Sequence, residues 1–439
     1  MKITIVGGGS YAWAPNLIQD FLHEEFLSES EMCLMDINEV SLNEIFDYSQ
    51  LCKKSFPKTE LKFTKTTDLR EALSDASFVI VAISNGGLKA ELEDHRIARR
   101  HGFYNMKGSE VGIAGCSRTL RHVPEMVRIA REMEKYCPDA LLLNVTNPLS
   151  ANTRSVNKYT KIKSVGFCHG VCNHLEALFP LFDCEGWNGI EFNVAGVDHC
   201  SWLLNVKYKG KDALQIIKEK GFIEAAYRGQ NFATFDDRFA GTENLRLRFI
   251  IWDIIGYMPA ITDEHCVEFF GQIMKSSETR EFYNITYDRI AERTKTVNEG
   301  RDVVKDVLEG KEKLRISTSG EIIAKFIAAL NGAGAFSDVL NYPNEGQIPN
   351  LPLGTIVETM CTIDSNGIHP IHTGGLPPIL ESIVGPVAIR EELYMESAIE
   401  DNIQKLRSAL VTDPLVNEFR NIDVICSELM NYNRQFRKI

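Results

Sequence analysis

Two short polar pairs are candidate ligands for a metal ion. Cys168-His169 and Asp198-His199 each follow an apolar run, at the point where a strand would deliver its last residue to a cleft. A thiolate and an imidazole are both good metal ligands. Each pair also has a simpler interpretation, because free cysteines are usually small buried hydrophobes and His199 could be a satisfied core histidine. Two ligands do not define which metal is bound, so a metal site formed by these pairs is a hypothesis.

Three further side chains could contact a substrate or move a proton. Asn147 follows the apolar run 140–144, where its amide could hold a nicotinamide-side group and a substrate hydroxyl, although Asn-Pro also starts simple turns. Asp263 lies in a polar interruption after an aromatic-rich helix, where an isolated acid is most often a helix N-cap. Arg118 could pair with an anion or could be an ordinary solvated charge. The surrounding elements decide between these alternatives.

The start of the chain predicts a nucleotide-binding βαβ unit. The apolar run Lys2–Val6 ends in a glycine-rich turn, which is followed by a helical pattern. Glycines there let backbone N–H groups approach a pyrophosphate, and the helix N-terminus adds partial positive charge. Ala12 replaces the third glycine of the fingerprint, and a second strand ends in an acid that could bind a ribose hydroxyl. The alternative is a glycine turn without nucleotide. The predicted cofactor contacts in this unit are Gly7, Gly9, Ser10 and Asp36.

The first 170 residues predict an α/β fold with a doubly wound parallel sheet of the Rossmann type. Strand-like runs alternate there with amphipathic helical stretches. Ligands of such folds bind at the carboxyl ends of the strands. Three predicted strand ends are polar, at residues 84–87, 146–148 and 168–170. We therefore expect Ser84 and Asn85 to contact the cofactor as well.

The second half of the chain predicts an α+β lobe on the substrate side. The alternation of strands and helices becomes weaker beyond about residue 195. We place a nucleotide-binding Rossmann domain at residues 1–195, and an α+β domain for substrate, metal and oligomerisation at residues 196–439. The segment Val339–Val357 looks too polar and kinked for a core. It is predicted to form an active-site loop or a subunit contact.

Composition restricts the partners of the protein. The formal net charge of −12, with no long basic run, argues against nucleic acid as a partner. The sequence lacks an apolar run of membrane length and the pattern of a signal peptide, so we expect no membrane partner and a cytoplasmic location. Its eleven cysteines are scattered, which indicates reduced core residues rather than a disulfide framework. A thiolate could therefore take part in chemistry.

Several motifs, taken in order, resemble glycoside hydrolase family 4, the NAD- and metal-dependent glycosidases. The fold of that family is similar to that of the lactate and malate dehydrogenases. The resemblance runs essentially from end to end. Its motifs are IVGGGSYAW at 5–13, MDIN at 35–38, TNP at 146–148, GFCHG at 166–170, GVDHCSW at 196–202 and NEGQIPNLP at 344–352. Together they are far more specific than any one of them alone.

The resemblance implies NAD and Mn²⁺ as cofactors and a role for each candidate residue. In that family NAD transiently oxidises the sugar at C3, which makes the C2 proton acidic enough for a base to remove. The aglycone is then eliminated, water adds and the hydride returns, so no net redox change results. The implied roles are Cys168 and His199 for the metal, Asn147 and Arg118 for the sugar, Asp263 as the base and His169 as the acid.

The details of the motifs point to one branch of the family. Enzymes for 6-phosphoglycosides typically carry Asp after the metal cysteine and Tyr as the base, where this chain has His169 and Asp263. The chain resembles instead the branch for unphosphorylated α-galactosides, α-glucosides and α-uronides. Arg154 could grip a uronate carboxylate with two hydrogen bonds. Residues 101–110 and 112–115 depart from the family pattern and could signal an unusual substrate.

Three alternatives remain beside an unphosphorylated α-glycosidase. They are a 6-phosphoglycosidase of the same family, a net NAD-dependent dehydrogenase, and a sugar or NAD sensor without catalytic activity. A dehydrogenase would accumulate NADH with its substrate, and a sensor would bind NAD without turnover. The resemblance further implies a small sugar as substrate and a homodimer or homotetramer as the assembly.

Overall fold

One mixed sheet runs through the whole molecule. The computed structural model describes residues 1–230, 245–285, 289–416 and 419–437. Thirteen strands among these residues belong to the sheet. The strands are β1 (Lys2–Val6), β2 (Glu31–Met35), β3 (Lys62–Thr66), β4 (Ala76–Val81), β5 (Leu141–Asn144), β6 (Ser164–Gly166), β7 (Ile190–Val197), β8 (Cys200–Tyr208), β9 (Lys211–Asp212), β10 (Met258–Pro259), β11 (Phe336–Pro343), β12 (Ile356–Asp364) and β13 (Gly367–Pro370).

The helices of the described residues lie before, between and after these strands. They are α1 (Ala14–His23), α2 (Glu39–Lys53), α3 (Leu69–Leu73), α4 (Gly87–Arg100), α5 (Gly112–Tyr136), α6 (Leu149–Tyr159), α7 (Gly170–Glu176), α8 (Ala213–Glu219), α9 (Phe222–Tyr227), α10 (Arg246–Ile255), α11 (Asp263–Phe269), α12 (Ser277–Phe282), α13 (Arg289–Leu308), α14 (Ile323–Leu330), α15 (Pro378–Glu400), α16 (Ile403–Leu410) and α17 (Ile422–Arg434). None of them combines the length and apolar character that crossing a bilayer requires.

The first six strands confirm the predicted Rossmann-type sheet. Their order is β3-β2-β1-β4-β5-β6, and all five pairings between them are parallel. This order reverses between β1 and β4, and ligands of such sheets bind at that point, beyond the carboxyl ends of the strands. Helices cover both faces, because Ile3 and Ile5 pack in one core cluster with α1, while Val79 and Val81 pack in another with α5.

The strands of the second half continue the same sheet. β11 pairs antiparallel with β6, and the order then runs β11-β12-β7-β8-β10 through antiparallel pairs. The predicted boundary between residues 195 and 196 falls inside β7 (Ile190–Val197). The sheet is continuous across that point, and the division into two domains stays a prediction.

The interpretation of Val339–Val357 as a loop needs a correction. Its two ends belong to β11 and β12, which pair antiparallel over eight residue positions in the middle of the sheet. Buried polar side chains explain the misleading composition, since Asn341 donates from Nδ2 to Glu358 across the two strands at 3.0 Å. The connection itself spans only residues 344–355.

Candidate active site

A cleft of about 780 Å³ opens at the carboxyl ends of the parallel strands. It brings together most of the side chains that the sequence singled out. The predicted site residues that line it are Gly7, Gly9, Ser10, Asp36, Ser84, Asn85, Arg118, Asn147 and His199. Four predicted site residues are not part of this lining, namely Cys168, His169, Arg154 and Asp263.

The glycine turn after β1 fits tightly against the neighbouring strands. Gly7 has a φ of +95°, and a Cβ atom there would lie 2.2 Å from the carbonyl oxygen of Ala82. The N–H groups of Gly7 and Gly8 donate to the carbonyl oxygen of Met35 at 2.9 and 2.8 Å. Glycine is therefore required for this turn, because a side chain at Gly7 would force it away from the sheet.

Asp36 is oriented by the turn that it faces. Its Oδ2 accepts the N–H of Gly9 at 3.0 Å, and its Oδ1 accepts the N–H of Asn38 at 2.9 Å. The carboxylate thus lies in the cleft at the end of β2, where an acid binds the ribose of a dinucleotide in this fold.

Asn85 is fixed by groups from three parts of the chain. Its N–H donates to Nε2 of His122 at 2.9 Å, and its Nδ2 donates to the carbonyl oxygens of Arg121 and Phe436. Burial lowers the pKa of His122 well below its usual value, so the imidazole is neutral and can accept this bond. The strand end at Asn85 is therefore held in place beside the cleft.

The two predicted metal ligands lie side by side. Sγ of Cys168 is 3.6 Å from Nε2 of His199. Cys168 follows β6, and His199 lies in the two-residue turn between β7 and β8 with a φ of +60°. Cys168 borders a small second cavity and His199 borders the large cleft, so the pair lies between the two.

Asp198 completes a group that could hold a cation. Ligand atoms of Cys168, Asp198 and His199 all lie within 4.8 Å of one another. Asp198 is fully buried, yet its carboxylate oxygens have no N–H or O–H donor at hydrogen-bond geometry within the described residues. Its Oδ2 lies 3.5 Å from Nδ1 of His199, and a bound cation would compensate the charge of this buried carboxylate further. The site therefore fits a metal ion held by sulfur, oxygen and nitrogen.

Electrostatics agrees with that assignment. Burial raises the pKa of the Cys168 thiol well above its usual value, and the nearby Asp198 raises it further. Burial also raises the pKa of Asp198, although His199 works in the opposite direction. A metal ion would act against both shifts, because it binds the deprotonated forms of the thiol and the carboxyl group.

The structure does not bring Asp263 to the cleft. It is 1% exposed, and its two carboxylate oxygens accept the N–H groups of Leu247 and Arg248 at 2.7 and 2.9 Å. These N–H groups belong to the first turn of α10, where they have no partner within the helix. Asp263 thus caps α10 from the first residue of α11, whose own N-cap is Thr262, and its role as catalytic base stays a prediction.

His169 follows Cys168 in the chain and borders the small cavity instead of the large cleft. It borders the small cavity together with Cys168, Glu321 and Asp338. The predicted acid is therefore close to the metal group without being part of the main cleft lining.

Arg154 does not face the cleft either. Its guanidinium pairs with the carboxylate of Glu392 at 3.0 Å, and the two side chains are 22% and 27% exposed. The predicted contact with a substrate carboxylate has no support here, because α6 directs this arginine toward α15. Arg118 differs, since it lines the cleft and lies 3.6 Å from Glu91.

Several cleft residues escaped the sequence interpretation. Lys107 pairs with Glu264 at 2.8 Å, and His265 stacks on His199 with ring centroids 4.0 Å apart. Burial raises the pKa of Glu91, but Arg118 and Arg293 together bring it below the usual value. The position of Asp198 beside His199 was a signal for a third ligand. The cleft positions of Lys107 and Arg293 had no comparable signal in the sequence.

The strand order and the glycine turn place the chain in the class of Rossmann-type nucleotide-binding enzymes, here with a metal-ligand group beside the nucleotide cleft. More narrowly, the chain belongs to family 4 of the glycosyl hydrolases. The sequence profile of that family matches residues 2–183, and the profile of its C-terminal domain matches residues 194–416. The protein is therefore a glycoside hydrolase.

Relatives of known activity match along nearly the whole chain. An α-galacturonidase of Thermoanaerobacterium saccharolyticum is 30% identical, covering 95% of this chain and 92% of the relative. An α-galactosidase of Bacillus subtilis is also 30% identical, covering 98% and 97%.

Solved structures agree with the fold. The crystal structure of lplD from Bacillus subtilis has a TM-score of 0.84 at 26% identity, covering 98% of this chain and 99% of that one. A 6-phospho-α-glucosidase from gut microorganisms, in complex with NAD and Mn²⁺, has a TM-score of 0.81 at 20% identity, covering 99% and 98%. A malate dehydrogenase of Plasmodium falciparum matches with a TM-score of 0.53 at 11% identity, covering 91% and 99%. The predicted likeness to malate dehydrogenase is confirmed at the level of fold.

Proposed function

We propose that this enzyme hydrolyses an unphosphorylated α-glycoside, with NAD and a divalent metal ion, Mn²⁺ by preference, bound in the cleft. α-Galactosides and α-galacturonides are the substrates that the two relatives at 30% identity support. One observation carries the proposal: Cys168 contacts His199, and His199 lines the same cleft as the glycine turn and Asp36.

The residues of the candidate site divide into three groups in this proposal. Gly7, Gly9, Ser10 and Asp36 hold the adenosine end of NAD, while Ser84 and Asn85 border its path toward the metal ligands. Asn147, which follows β5, and Arg118, near the start of α5, orient the sugar. Cys168, Asp198 and His199 hold the metal.

The bound groups would supply reversible oxidation at the sugar C3 and polarisation of the neighbouring oxygens. Proton transfer must then come from the protein or from water. His169, beside Cys168, keeps the proposed role of the acid. Asp263 is not carried into the proposal as the base, since its carboxylate is occupied by α10.

The charges of the cleft favour a substrate without a phosphate. Among the described residues that line the cleft, Lys107 pairs with Glu264, while Arg118 and Arg293 share the single carboxylate of Glu91, which leaves one positive charge unbalanced in this group. A phosphate carries almost two negative charges and would need cations without such partners. A neutral sugar, or one with a single carboxylate, fits this balance better.

Location and assembly are further parts of the proposal. All eleven cysteines are free. A free thiol as metal ligand suits a reducing compartment such as the cytoplasm. Leu353 and Ile389 are exposed by 73% and 56%, and such apolar surface suits the proposed homodimer or homotetramer. Light scattering of the purified protein measures the assembly directly.

A substrate panel tests the proposed function. Nitrophenyl α- and β-glycosides, α-uronides and 6-phosphates would be assayed with NAD, Mn²⁺ and a thiol reductant. We expect cleavage of an unphosphorylated α-galactoside or α-galacturonide without net NADH. Preference for a 6-phosphate, or steady accumulation of NADH, would contradict the proposal in favour of the other enzyme classes. NAD binding without any turnover would indicate a sensor.

A further inference from the structure

Glu110 holds the imidazole of His199 from behind. Its Oε2 lies 2.7 Å from Nδ1 of His199, and the glutamate is 1% exposed. The other ring nitrogen, Nε2, points to Sγ of Cys168. When a carboxylate accepts the proton on one ring nitrogen, the other nitrogen keeps its lone pair for a metal.

A second contact limits the rotation of the same ring. The imidazole of His265 packs on that of His199 with an interplanar angle of 30°. Because His199 also has a left-handed backbone conformation, the turn at 198–199 and the two ring contacts together define a single ring orientation.

The segment that carries Glu110 is anchored by another buried acid. Glu268 is 1% exposed, and its Oε1 accepts the N–H groups of Met106, Lys107 and Gly108 at 2.9, 3.2 and 3.1 Å. The same Oε1 also accepts a hydrogen bond from Nδ2 of Asn105 at 3.2 Å. Glu268 lies one turn after His265 on α11, so this helix supports the ring of His199 both directly and through the segment.

Asn105 closes the segment onto the start of α5. Its Nδ2 donates to the carbonyl oxygen of Val111 at 2.9 Å, and its Oδ1 accepts the N–H of Ala114 at 3.3 Å. These hydrogen bonds therefore restrict the movement of residues 105–111. Glu110 is presented to His199 by a rigid support rather than by a free loop.

We infer that Glu110 is a positioning residue for the metal centre. It fixes which nitrogen of His199 carries the proton and directs Nε2 toward Cys168, with residues 105–111 and Glu268 as its support. The inference rests on the proposed function only in taking Cys168 and His199 as metal ligands. It assigns a role to a segment that departs from the family pattern.

Metal titration of matched variants tests the inference. The variants are Glu110→Leu, which removes the acceptor, Glu110→Gln, whose amide oxygen can still accept from Nδ1, and Glu392→Leu, which removes an acid outside the cleft lining that pairs with Arg154. Mn²⁺ affinity and stoichiometry would be measured by electron paramagnetic resonance of the free ion, and NAD affinity by calorimetry.

We expect Glu110→Leu to weaken Mn²⁺ binding about 10- to 100-fold, as loss of an outer-shell partner does, with unchanged NAD affinity. Glu110→Gln should recover most of the affinity, and Glu392→Leu should bind like the wild type. Wild-type affinity of Glu110→Leu would overturn the inference. So would two bound ions in the wild type and one in Glu110→Leu, since Glu110, His199 and His265 would then form a second ligand group.

A measurement on the wild type covers the case in which Glu110→Leu does not fold. Nitrogen chemical shifts of the His199 ring in the metal-free protein should show a protonated Nδ1 and an unprotonated Nε2. The opposite tautomer would contradict the inference. Failure of the wild type to bind Mn²⁺ at all would contradict the proposed function instead, so the two failures are distinguishable.

Discussion

Sγ of Cys168 lies 3.6 Å from Nε2 of His199, although 31 positions of sequence separate the two residues. One comes from the last parallel strand and the other from the first antiparallel hairpin, so the contact joins the two halves of the sheet. The metal-ligand group is therefore placed where the nucleotide-binding half meets the part that extends it.

Removal of the thiol ligand should separate metal binding from NAD binding. Cys168→Ser should lower Mn²⁺ affinity and Mn²⁺-dependent cleavage more than about 100-fold, because losing a direct ligand costs more than losing an outer-shell partner. NAD affinity should remain near that of the wild type. Cys172→Ser is the matched control, since that buried thiol contacts Asp338 and is outside the metal group. Unchanged hydrolysis by Cys168→Ser would refute the ligand assignment.

Asp36 should determine the choice between NAD and NADP. Asp36→Ala removes a charged acceptor for the ribose hydroxyl, which is worth about 1.5–3 kcal/mol, or roughly 10- to 100-fold in NAD affinity. It also removes a negative charge that would repel a 2′-phosphate. Affinities for both nucleotides can be measured by fluorescence titration. A mutant that loses NAD and NADP binding by the same factor would speak against ribose recognition.

Arg118 and Arg154 should respond differently to the same substitution. Arg154→Gln breaks a partly exposed ion pair with Glu392, so we expect a loss below about 1 kcal/mol in unfolding free energy and little change in kcat/KM. Arg118→Gln should lower kcat/KM about 10-fold or more, because Arg118 lines the cleft. Steady-state kinetics on a galacturonide and a galactoside decide the matter. If Arg154→Gln raised KM for the galacturonide alone, that result would support the predicted contact of Arg154 with the uronate carboxylate.

Asp263 should behave as a helix cap in stability measurements. Asp263→Ala leaves two buried N–H groups of α10 without an acceptor, and we expect a loss of about 1–3 kcal/mol in unfolding free energy. Asp263→Asn retains one acceptor and should lose less. Denaturant unfolding and activity would be compared for both variants. Equal and complete loss of activity with wild-type stability would instead identify the catalytic base.

Glu391 should make the protein less stable as the pH rises. Burial raises the pKa of this carboxyl to about 8, above its value in the unfolded chain. The folded protein therefore binds more protons between about pH 4.5 and 8 than the unfolded chain, and raising the pH over that range lowers the unfolding free energy. One such group contributes at most about 1.4 kcal/mol per pH unit.

Glu391→Gln should flatten this pH dependence. The neighbouring Glu392 is 27% exposed and paired with Arg154, and its charge is the smallest contribution to the raised pKa of Glu391, so Glu392→Gln should change the slope much less. Denaturant unfolding at several pH values measures both. An identical slope in Glu391→Gln and the wild type would show that other groups control the effect.

The nucleotide-binding half could be predicted from sequence because its signals are local. The apolar run Lys2–Val6, the glycines after it and the acid that ends the second strand lie close along the chain, and each has a direct structural meaning. The same holds for Cys168 and His199, whose neighbours in sequence are strand ends. The roles of these two residues as metal ligands came from the resemblance of the motifs to the family.

The central hairpin could not be predicted in the same way. Asn341 and Glu358 are buried at the junction of the two halves, where Glu358 accepts from Nδ2 of Asn341 and from the hydroxyl of Ser201. Polar residues of this kind look like a loop in the sequence, because their partners are brought by pairing of distant strands. Burial of a polar pair is visible only once the pairing is known.

Contacts over long separations explain the remaining differences. Arg154 is a plausible carboxylate ligand in sequence, but its carboxylate is Glu392, which follows 238 positions later. Glu110 reaches His199 across 89 positions, and no local pattern reports that contact. Asp263 is a further example, since its carboxylate accepts from N–H groups 15 and 16 positions earlier in the chain, in another helix.

Anomalous diffraction from crystals grown with Mn²⁺ and NAD would locate the metal and the nicotinamide in one experiment. We expect one manganese peak within bonding distance of Sγ of Cys168 and Nε2 of His199, with the nicotinamide in the cleft beside it. A peak elsewhere, or an ordered nicotinamide far from these two side chains, would contradict this expectation.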